Sequence, residues 1–368
     1  MPPKTAPHIA RLPATIPFVA PERTERELGS AFVARLGANE GNFGCSPLAI
    51  DAMANAAQTH VRNYCDPECF ELRMAHCGRL GIEMENVVIG PGIDGILGMI
   101  VRMFSSPGDA VLTSLGAYPT FNYHVAGYDR VLHTVPYHED HEDLAALSDA
   151  ANVLRPAIVY LSNPDNPMGT YWSDIDIVKF MDSLPETTLL VLDEAYGETA
   201  PEGTLPQLQL NRENVLRLRT FSKAYGMAGL RCGYAIGHRN LIAPFEKIRD
   251  HFGVNIVAQK AAAAALTDEQ WLRANLENIA NARDRIVAIA RGHNLQPIVS
   301  ATNFVTVDCG RDGIHAMEIL KGLMERGIFV RKPMAPILDR CIRISAGRPE
   351  ELDAFESALT ETLSTLPD

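Results

Sequence analysis

The sequence has no apolar run that approaches the roughly 18 residues of a membrane-spanning helix. Its first residues, MPPKTAPHIARLPATIPFVAPERTER, are interrupted by prolines and have no apolar centre, so we expect an extended arm and no signal peptide there. The chain also lacks internal repeats and low-complexity tracts. These absences argue against a membrane partner and against repeat architectures.

The chain has fewer basic than acidic residues, and its cysteines do not form an even, regularly spaced set. The 33 Lys and Arg residues are outnumbered by 45 Asp and Glu residues, a formal net charge of −12, which argues against nucleic acid or an anionic membrane as the main partner. Any anionic ligand must therefore be held by a local cluster of donors. The seven cysteines are scattered and odd in number, which predicts reduced thiols in a cytoplasmic protein.

The segment CDPECFELRMAHC contains four potential metal ligands, Cys65, Cys69, His76 and Cys77. A structural zinc site usually pairs two close Cys–x–x–Cys hooks, and this spacing fits that pattern poorly. We therefore interpret the segment as a loop followed by an amphipathic helix and predict no metal site.

What the chain does contain is a regular alternation of strand-like and helical segments. Short apolar runs of strand type recur through the middle of the sequence: NVVIG, DAVLTS, AIVYLSNP, TTLLVLDEA, VLRLRTFSK and CGYAIG. Near-continuous apolar strands separated by helices indicate a mainly parallel sheet covered on both faces, and therefore an α/β fold.

The pattern changes from about Gly253 onward, where a long helical region leads into NFVTVD, IFVRKP and CIRISAG, typical of an α+β unit. A length of 368 residues also fits one large and one smaller domain. We predict an N-terminal arm and the start of the small domain over 1–44, a large domain over 45–252 and a small C-terminal domain over 253–368.

Polar residues follow three of the predicted strands at their carboxyl ends, where ligands bind in open α/β sheets. These residues are, strand by strand, Asn163 and Asn166, then Asp193 and Tyr196, then Ser222 and Lys223. We therefore expect the functional site at this edge of the sheet.

The stretch TFSKAYGMAGLRCGY surrounds Lys223 with small residues, so either a ligand fills the space or the backbone approaches one closely. A lone lysine after a strand is most often a solvated charge. Held at a sheet edge, its amine is also suited to form a Schiff base with a carbonyl, while Ser222 and Arg231 can bind phosphate oxygens. Pyridoxal phosphate is an aldehyde that carries a phosphate, and it fits both groups.

Other motifs supply what that cofactor needs. Asp193 follows an apolar strand, where a cationic pyridine nitrogen is a suitable partner, although alone the residue could equally cap a helix. Tyr196 and Asn166 can donate hydrogen bonds to the ring 3-oxygen. The turn GPGIDGIL offers the backbone N–H groups of Ile93 and Asp94 at a helix start for the phosphate, a weak signal on its own.

The ordered motifs GPGID, YPTF, NPDNPMG, DEAY, TFSKAYGMAGLRCGY and RISAG resemble those of fold-type I pyridoxal-phosphate-dependent aminotransferases, and within them the histidinol-phosphate aminotransferase group. The resemblance implies a large domain with a mainly parallel seven-stranded sheet, a smaller α+β domain, and a homodimer with shared active sites. It also implies ping-pong transfer of an amino group to a 2-oxo acid such as 2-oxoglutarate. The donor would be an L-amino acid or amine, with histidinol phosphate or an aromatic amino acid as candidates.

The resemblance implies individual roles as well. Lys223 would form the Schiff base and then move the proton between substrate and cofactor, while Asp193 would pair with the pyridinium nitrogen. Tyr196 and Asn166 would bind the 3-oxygen, and Phe121 of YPTF would stack on the ring. The phosphate would be held by Ile93, Asp94, Ser222 and Arg231, and Tyr64 would reach the phosphate in the neighbouring subunit.

Substrate recognition is implied only in part. Arg343 in CIRISAG matches the arginine that holds the substrate carboxylate, and Arg331 in GIFVRKP matches the one that binds a substrate phosphate. Asn166 is a further candidate for substrate binding. Where relatives carry a Pro-Tyr pair in the arm, this chain has Phe18, and the missing hydroxyl would cost about 1–3 kcal/mol. The segment NEGN at Asn39 also departs from the usual Asn-Glu-Asn-Pro. A phosphorylated donor and an aromatic donor therefore both fit.

Two other functions would use the same residues. A decarboxylase similar to threonine-phosphate decarboxylases would also need Lys223, Asp193 and Arg231, so the motifs do not separate it from an aminotransferase. A sensor that binds the cofactor without turnover would carry a separate DNA-binding domain, for which the proline-rich arm is too short.

Overall fold

The computed structural model describes residues 3–12 and 20–366. Its helices are α1 (Pro7–Ala10), α2 (Pro21–Leu28), α3 (Pro47–Thr59), α4 (Phe70–Leu80), α5 (Gly92–Phe104), α6 (Pro119–Gly127), α7 (Leu144–Leu154), α8 (Asp174–Ser183), α9 (Arg239–Ile242), α10 (Ile256–Ala265), α11 (Glu269–Gly292), α12 (Gly313–Glu325) and α13 (Pro349–Thr365). Its strands are β1 (Ala34–Arg35), β2 (Val87–Gly90), β3 (Ala110–Ser114), β4 (Val131–Val135), β5 (Ile158–Ser162), β6 (Leu189–Asp193), β7 (Val215–Thr220), β8 (Gly233–Gly237), β9 (Gln296–Pro297), β10 (Phe304–Asp308), β11 (Ile328–Phe329) and β12 (Cys341–Ser345). Within these described ranges, no helix combines the length and the apolar character needed to cross a membrane.

A seven-stranded sheet with the order β2-β8-β7-β6-β5-β3-β4 forms the centre of the larger part of the molecule. Strand β8 runs antiparallel to β2 and β7, and the other neighbouring strands run parallel. The predicted α/β fold with a mainly parallel seven-stranded sheet is thereby confirmed. Strand β4 was not predicted, because only Val135 of its VLHTV sequence is buried and the strand lies at the sheet edge.

Both faces of this sheet are covered, because its central strands are apolar at nearly every position. In β6, Leu189 and Val191 join the core formed with α5 and α6, whereas Leu190 and Leu192 join the core formed with α7 and α8. Successive side chains of a strand point to opposite faces, so a strand buried on both sides reads as a continuous apolar run. The run ends at Asp193, where the strand reaches the carboxyl edge of the sheet.

A second core lies around the antiparallel strands β9, β10 and β12, which pack with α11, α12 and α13. Strand β1 pairs in parallel with β11, so the segment before α3 contributes to this region. Helix α10, however, places Ala258, Ala261 and Ala262 in the core beneath β2 and β8 of the large sheet. The chain therefore continues to pack on the large sheet beyond residue 252, and the division into 1–44, 45–252 and 253–368 stays a prediction.

The segment CDPECFELRMAHC forms a loop followed by α4, as interpreted from its sequence. His76 is buried in α4, with its ring centroid 3.9 Å from that of Tyr234. Among the residues that the structure describes, no group of three or more His, Cys, Asp or Glu side chains is arranged to hold a metal ion.

Candidate active site

A cavity of about 680 Å³ opens where the loops after β5, β6 and β7 meet the start of α5 and the C-terminal strands. Most of the predicted site residues line it: Ile93, Asp94, Asn166, Asp193, Tyr196, Ser222, Lys223, Arg231, Arg331 and Arg343. The carboxyl ends of neighbouring parallel strands lie at the same edge of a sheet, which explains why residues distant in sequence meet there.

Lys223 lies in the loop after β7, and its Nζ donates to the main-chain oxygen of Asn39 at 2.9 Å. Burial lowers the pKa of the Lys223 amine to about 8, and the positive charge of Arg343 contributes in the same direction. A lower pKa leaves more of the amine unprotonated at neutral pH, and the unprotonated amine is the form that attacks a carbonyl. Lys223 is therefore suited to be a nucleophile, in contrast to a solvated surface lysine.

Asp193 is buried at the end of β6, where two donors orient its carboxylate. The Tyr160 hydroxyl donates to Oδ2 at 2.7 Å, and the main-chain N–H of Ala195 donates to Oδ1 at 2.9 Å. Burial nevertheless raises the pKa of Asp193 to about 6, against the effect of these donors. A buried carboxylate with a raised pKa gains from a cationic partner, which a protonated pyridine nitrogen supplies.

The start of α5 forms an anion site together with the loop that carries Arg231. Gly92 has a φ of +74°, and a Cβ at this position would lie 2.4 Å from Nη2 of Arg231, so only glycine lets the guanidinium approach this closely. Nη1 of Arg231 lies 3.5 Å from Oγ of Ser222, and Nη2 lies 3.5 Å from a carboxylate oxygen of Asp94. The Arg231 guanidinium, the Ser222 hydroxyl and the N–H groups at the start of the helix near Ile93 are donors that fit a phosphate.

Phe121 does not line the cavity, and this corrects its predicted role as the residue that stacks on the ring. It lies in the first turn of α6, is fully buried, and stacks on Tyr160 with ring centroids 4.5 Å apart. The aromatic side chain of YPTF that lines the cavity is Tyr118, whose hydroxyl donates to Asp94 at 2.7 Å. Because α6 begins at Pro119, Phe121 turns into the core and Tyr118 precedes the helix at the cavity wall.

Arg331 and Arg343 lie directly opposite each other. The main-chain N–H of Arg343 donates to the oxygen of Arg331 at 2.6 Å, and the reverse bond spans 3.3 Å. Residues opposed in an antiparallel bridge project to the same face, and both side chains line the cavity. Burial lowers the pKa of both guanidiniums, that of Arg343 to about 10. Two poorly hydrated cations side by side favour an anion between them.

Asn166 and Tyr196 each line the cavity, and in each side chain one polar atom forms a hydrogen bond with another residue of the protein. Nη1 of Arg343 donates to Oδ1 of Asn166 at 2.5 Å, which leaves the amide nitrogen of Asn166 as a donor for a ligand. The Tyr196 oxygen accepts from Nδ2 of Asn39 at 3.0 Å. Burial raises the pKa of Tyr196 to about 12, so its hydroxyl keeps its proton at neutral pH.

Besides Phe121, two predicted residues are not among those that the structure shows lining the cavity. Tyr64 is 84% exposed, and its ring packs against that of Phe252 with centroids 4.9 Å apart. Its proposed contact with a phosphate in the neighbouring subunit stays a prediction. Phe18 lies outside the described residues.

Sequence reasoning missed three residues that complete the site. Tyr118 belongs to the YPTF motif, in which the sequence prediction assigned the cavity contact to Phe121. Tyr160 carries a hydroxyl in the middle of an apolar buried strand, and such a hydroxyl needs a hydrogen-bond partner, which was an available signal. Asn39 left no clear signal, because its contacts with Tyr196 and Lys223 join parts of the chain that are far apart in sequence.

This donor set fits pyridoxal phosphate. Lys223 would hold its aldehyde carbon, Asp193 its ring nitrogen, Tyr196 and Asn166 its 3-oxygen, and Arg231 with the α5 N-terminus its phosphate. When bound, the cofactor supplies an electron sink for negative charge that develops at the substrate α-carbon.

Comparison with known proteins agrees with this reading of the cavity. Residues 33–359 match the sequence family described as aminotransferase class I and II. The crystal structure of histidinol-phosphate aminotransferase from Sinorhizobium meliloti in complex with pyridoxal-5'-phosphate is 47% identical, with a TM-score of 0.96, and the match covers 99% of this chain and 98% of that one. The histidinol-phosphate aminotransferase of Moorella thermoacetica is 32% identical over 366 residues, which cover 98% of this chain and 94% of that protein.

The fold also extends to another kind of enzyme. The crystal structure of L-threonine-O-3-phosphate decarboxylase from Porphyromonas gingivalis has a TM-score of 0.75 and covers 90% of this chain and all of that one, but at 19% identity it shows a common fold alone. The family match, by contrast, spans most of the chain. The chain therefore belongs to the class I and II aminotransferases, fold-type I enzymes that use pyridoxal phosphate, and among them it is similar to the histidinol-phosphate aminotransferases.

Proposed function

We propose that this aminotransferase takes its amino group from a donor that carries a phosphate monoester, as histidinol phosphate does. The observation that carries the proposal is the pair of adjacent guanidiniums, Arg331 and Arg343, in one cavity. A phosphate monoester bears about 1.5–2 negative charges at neutral pH, so two poorly hydrated cations match it better than they match an uncharged aromatic side chain. The names of the two relatives described above support the same choice of donor.

The same arginine pair suits the amino acceptor. A 2-oxo dicarboxylate such as 2-oxoglutarate has two carboxylates, which the two guanidiniums can hold in place of the phosphate donor. Donor and acceptor then compete for one cavity and react one after the other, which is a ping-pong order. The cavity therefore serves two half-reactions with one set of cations.

The protein's own groups carry the proton movements. Lys223, with its lowered pKa, is suited to remove the proton from the substrate α-carbon once its amine is released, and later to return a proton. The Asn39 main-chain oxygen holds this amine in the cavity. Asp193 would keep the ring nitrogen protonated. Arg343 would orient the substrate by binding the substrate's anionic group.

A half-reaction screen tests the donor assignment. The holoenzyme is mixed with histidinol phosphate, histidinol, phenylalanine, tyrosine or glutamate, and the loss of visible cofactor absorbance is followed under single-turnover conditions. Histidinol differs from histidinol phosphate only in the phosphate, so the ratio of their second-order rate constants isolates that group. We expect a ratio of about 10²-fold or more, the size of one or two charge-assisted hydrogen bonds.

Other outcomes of this screen have distinct meanings. Equal rates with histidinol and histidinol phosphate would contradict a phosphate site, and a preference for phenylalanine or tyrosine would assign an aromatic donor. Release of carbon dioxide from phenylalanine, tyrosine or glutamate, without transfer of the amino group, would indicate the competing decarboxylase reaction.

Replacing Arg343 with alanine is expected to raise KM for the donor and for the 2-oxo acid, each by about 10- to 100-fold, because both anions use this guanidinium. Steady-state kinetics with each substrate varied in turn measures the two values. Arg326→Ala is a matched control, since Arg326 pairs with Glu361 on an exposed surface and does not line the cavity. An increase for only one of the two substrates would contradict the shared role of Arg343.

We also propose a homodimer with shared active sites, located in the cytoplasm. Exposed apolar side chains near Tyr64 support the dimer, among them Val61, Phe70 and Phe252. The Tyr64 hydroxyl lies on this exposed side, where a second copy of the chain could present its cavity. All seven cysteines are unpaired in the structure, which supports a reducing compartment.

A further inference from the structure

We propose that Asn39 is a positioning residue whose carboxamide directs the Tyr196 hydroxyl proton into the cavity. The inference deepens the proposed function, because it rests on Tyr196 as the partner of the cofactor 3-oxygen. Asn39 belongs to the segment NEGN, whose departure from the usual family sequence was noted above without a role.

The orientation of the Asn39 carboxamide is set by its surroundings. Asn39 is only 2% exposed. Oγ of Ser345 lies 3.3 Å from its Oδ1, to which it donates, and the Asn39 main-chain N–H donates back to the same Oγ at 3.0 Å. These contacts leave Nδ2 on the side of Tyr196, where it donates to the phenol oxygen at 3.0 Å.

The chemistry of these two groups determines where the Tyr196 proton points. An amide nitrogen can donate but cannot accept, so in this contact the Tyr196 oxygen must be the acceptor. The hydroxyl proton is then left for a different acceptor. Tyr196 lines the cavity, so the proton is available to an acceptor bound there. The Asn39 amide therefore makes Tyr196 a donor toward the ligand.

Asn39 also contacts Lys223, through its main chain. Its φ of +54° lies in the left-handed region, which asparagine tolerates better than most residues. Its carbonyl oxygen accepts from Nζ of Lys223 at 2.9 Å and from Nδ2 of Asn303 at 3.1 Å. A Cβ at Gly41 would lie 2.9 Å from the main-chain oxygen of Lys223, so this segment packs closely on the lysine loop.

The test measures the pH at which the absorbance of bound pyridoxal phosphate changes in the holoenzyme. Asn39→Gly removes the carboxamide and keeps a residue that accepts the positive φ, whereas Asn39→Asp keeps the shape but replaces the donor with an acceptor. When the Tyr196 proton no longer points to the 3-oxygen, the deprotonated form of the chromophore loses a hydrogen bond and its apparent pKa rises. We expect a rise of about 0.5–1 unit for Asn39→Gly and a larger rise for Asn39→Asp.

Asn39→Asp adds a carboxylate beside Tyr196, whereas Asn39→Gly leaves unchanged the charged groups around Tyr196. They are Arg343, Asp193 and Asp165, together with Lys223, whose Nζ lies 5.6 Å from the centre of the Tyr196 ring. A change in the chromophore pKa of Asn39→Gly therefore reports on the lost carboxamide, whose two contacts are with Tyr196 and Ser345.

Two further variants separate positioning from simple loss of stability. Asn294 has a φ of +61° at an exposed site, so Asn294→Gly makes the same chemical change away from the cavity and should leave the chromophore pKa unchanged. In the double variant with Tyr196→Phe, Asn39→Gly should add no further pKa rise, because the hydroxyl it orients is gone. Additive shifts, or an unchanged pKa in Asn39→Gly, would overturn the inference.

The variant Tyr196→Phe alone tests the role on which the inference rests. If it leaves the chromophore pKa unchanged, the assignment of Tyr196 to the 3-oxygen is wrong. If it raises the pKa while the Asn39 variants do not, the assignment of Tyr196 stands and only the role of Asn39 is rejected.

Discussion

Replacing Lys223 with alanine is expected to abolish amino transfer, with a loss of about 10⁴-fold or more, because in the proposed mechanism one side chain would both hold the cofactor and move the substrate proton. Its partly buried amine has a pKa lowered to about 8, so both its protonated and its unprotonated forms are present near neutral pH, as attack on a carbonyl and proton transfer require. The remaining donors of the cavity should still bind the cofactor without a covalent bond. Single-turnover kinetics measures the loss, and borohydride treatment followed by peptide mass analysis locates the covalent attachment.

A control variant and a rescue experiment show whether the loss in Lys223→Ala is due to the missing amine. Lys179→Ala removes an exposed lysine of α8, whose ion pair with Asp176 spans 3.6 Å, and should leave both activity and attachment unchanged. Added small primary amines should restore part of the proton transfer in the Lys223 variant, since the cavity stays open where the side chain was. Turnover above about a tenth of the wild-type rate without added amine would refute the assignment, since general acid–base catalysis alone is worth about 10²–10⁴-fold.

The sheet could be predicted because its buried strands appear in the sequence as continuous apolar runs. Strands such as β6 are buried on both faces, so their sequences are apolar at successive positions and end sharply at a polar residue. The edge strand β4 has no such run, because most of it is partly exposed. The position of α10 could not be read from its alanine-rich sequence, since small residues pack equally well on either domain.

Site residues that closely follow a strand could be predicted from the sequence. Residues whose place in the site depends on the direction of the side chain could not. Asp193 and Lys223 are fixed by the carboxyl ends of β6 and β7, and both line the cavity. The choice between Tyr118 and Phe121 depends on where α6 begins, which the YPTF motif does not state. Asn39 depends on a left-handed backbone and on contacts with distant segments, neither of which has a sequence pattern.

Replacing Asp193 with asparagine is expected to lower kcat/KM by about 10²- to 10³-fold, because the ring nitrogen would lose a buried charge partner worth about 3–5 kcal/mol. The same change should alter the pH dependence of cofactor binding. In the cofactor-free protein burial raises the pKa of Asp193 to about 6, whereas a pyridinium partner would lower it again. Binding below about pH 6 therefore expels a proton from Asp193, and affinity should rise as the pH increases from about 5 to 7.

Asparagine has no proton to lose, so this component of the pH dependence should vanish in the variant, while the component due to Lys223 stays common to both proteins. Fluorescence titration of the apoprotein with pyridoxal phosphate at the two pH values measures the difference. Glu198→Gln is the matched control: Glu198 is largely buried, burial raises the pKa of its carboxyl, and it does not line the cavity. Because its carboxylate lies 3.7 Å from the guanidinium of Arg219, its loss should change stability and leave the pH dependence of binding intact. A pH dependence that Asp193→Asn leaves unchanged would show that Asp193 does not carry the charge opposite the ring nitrogen.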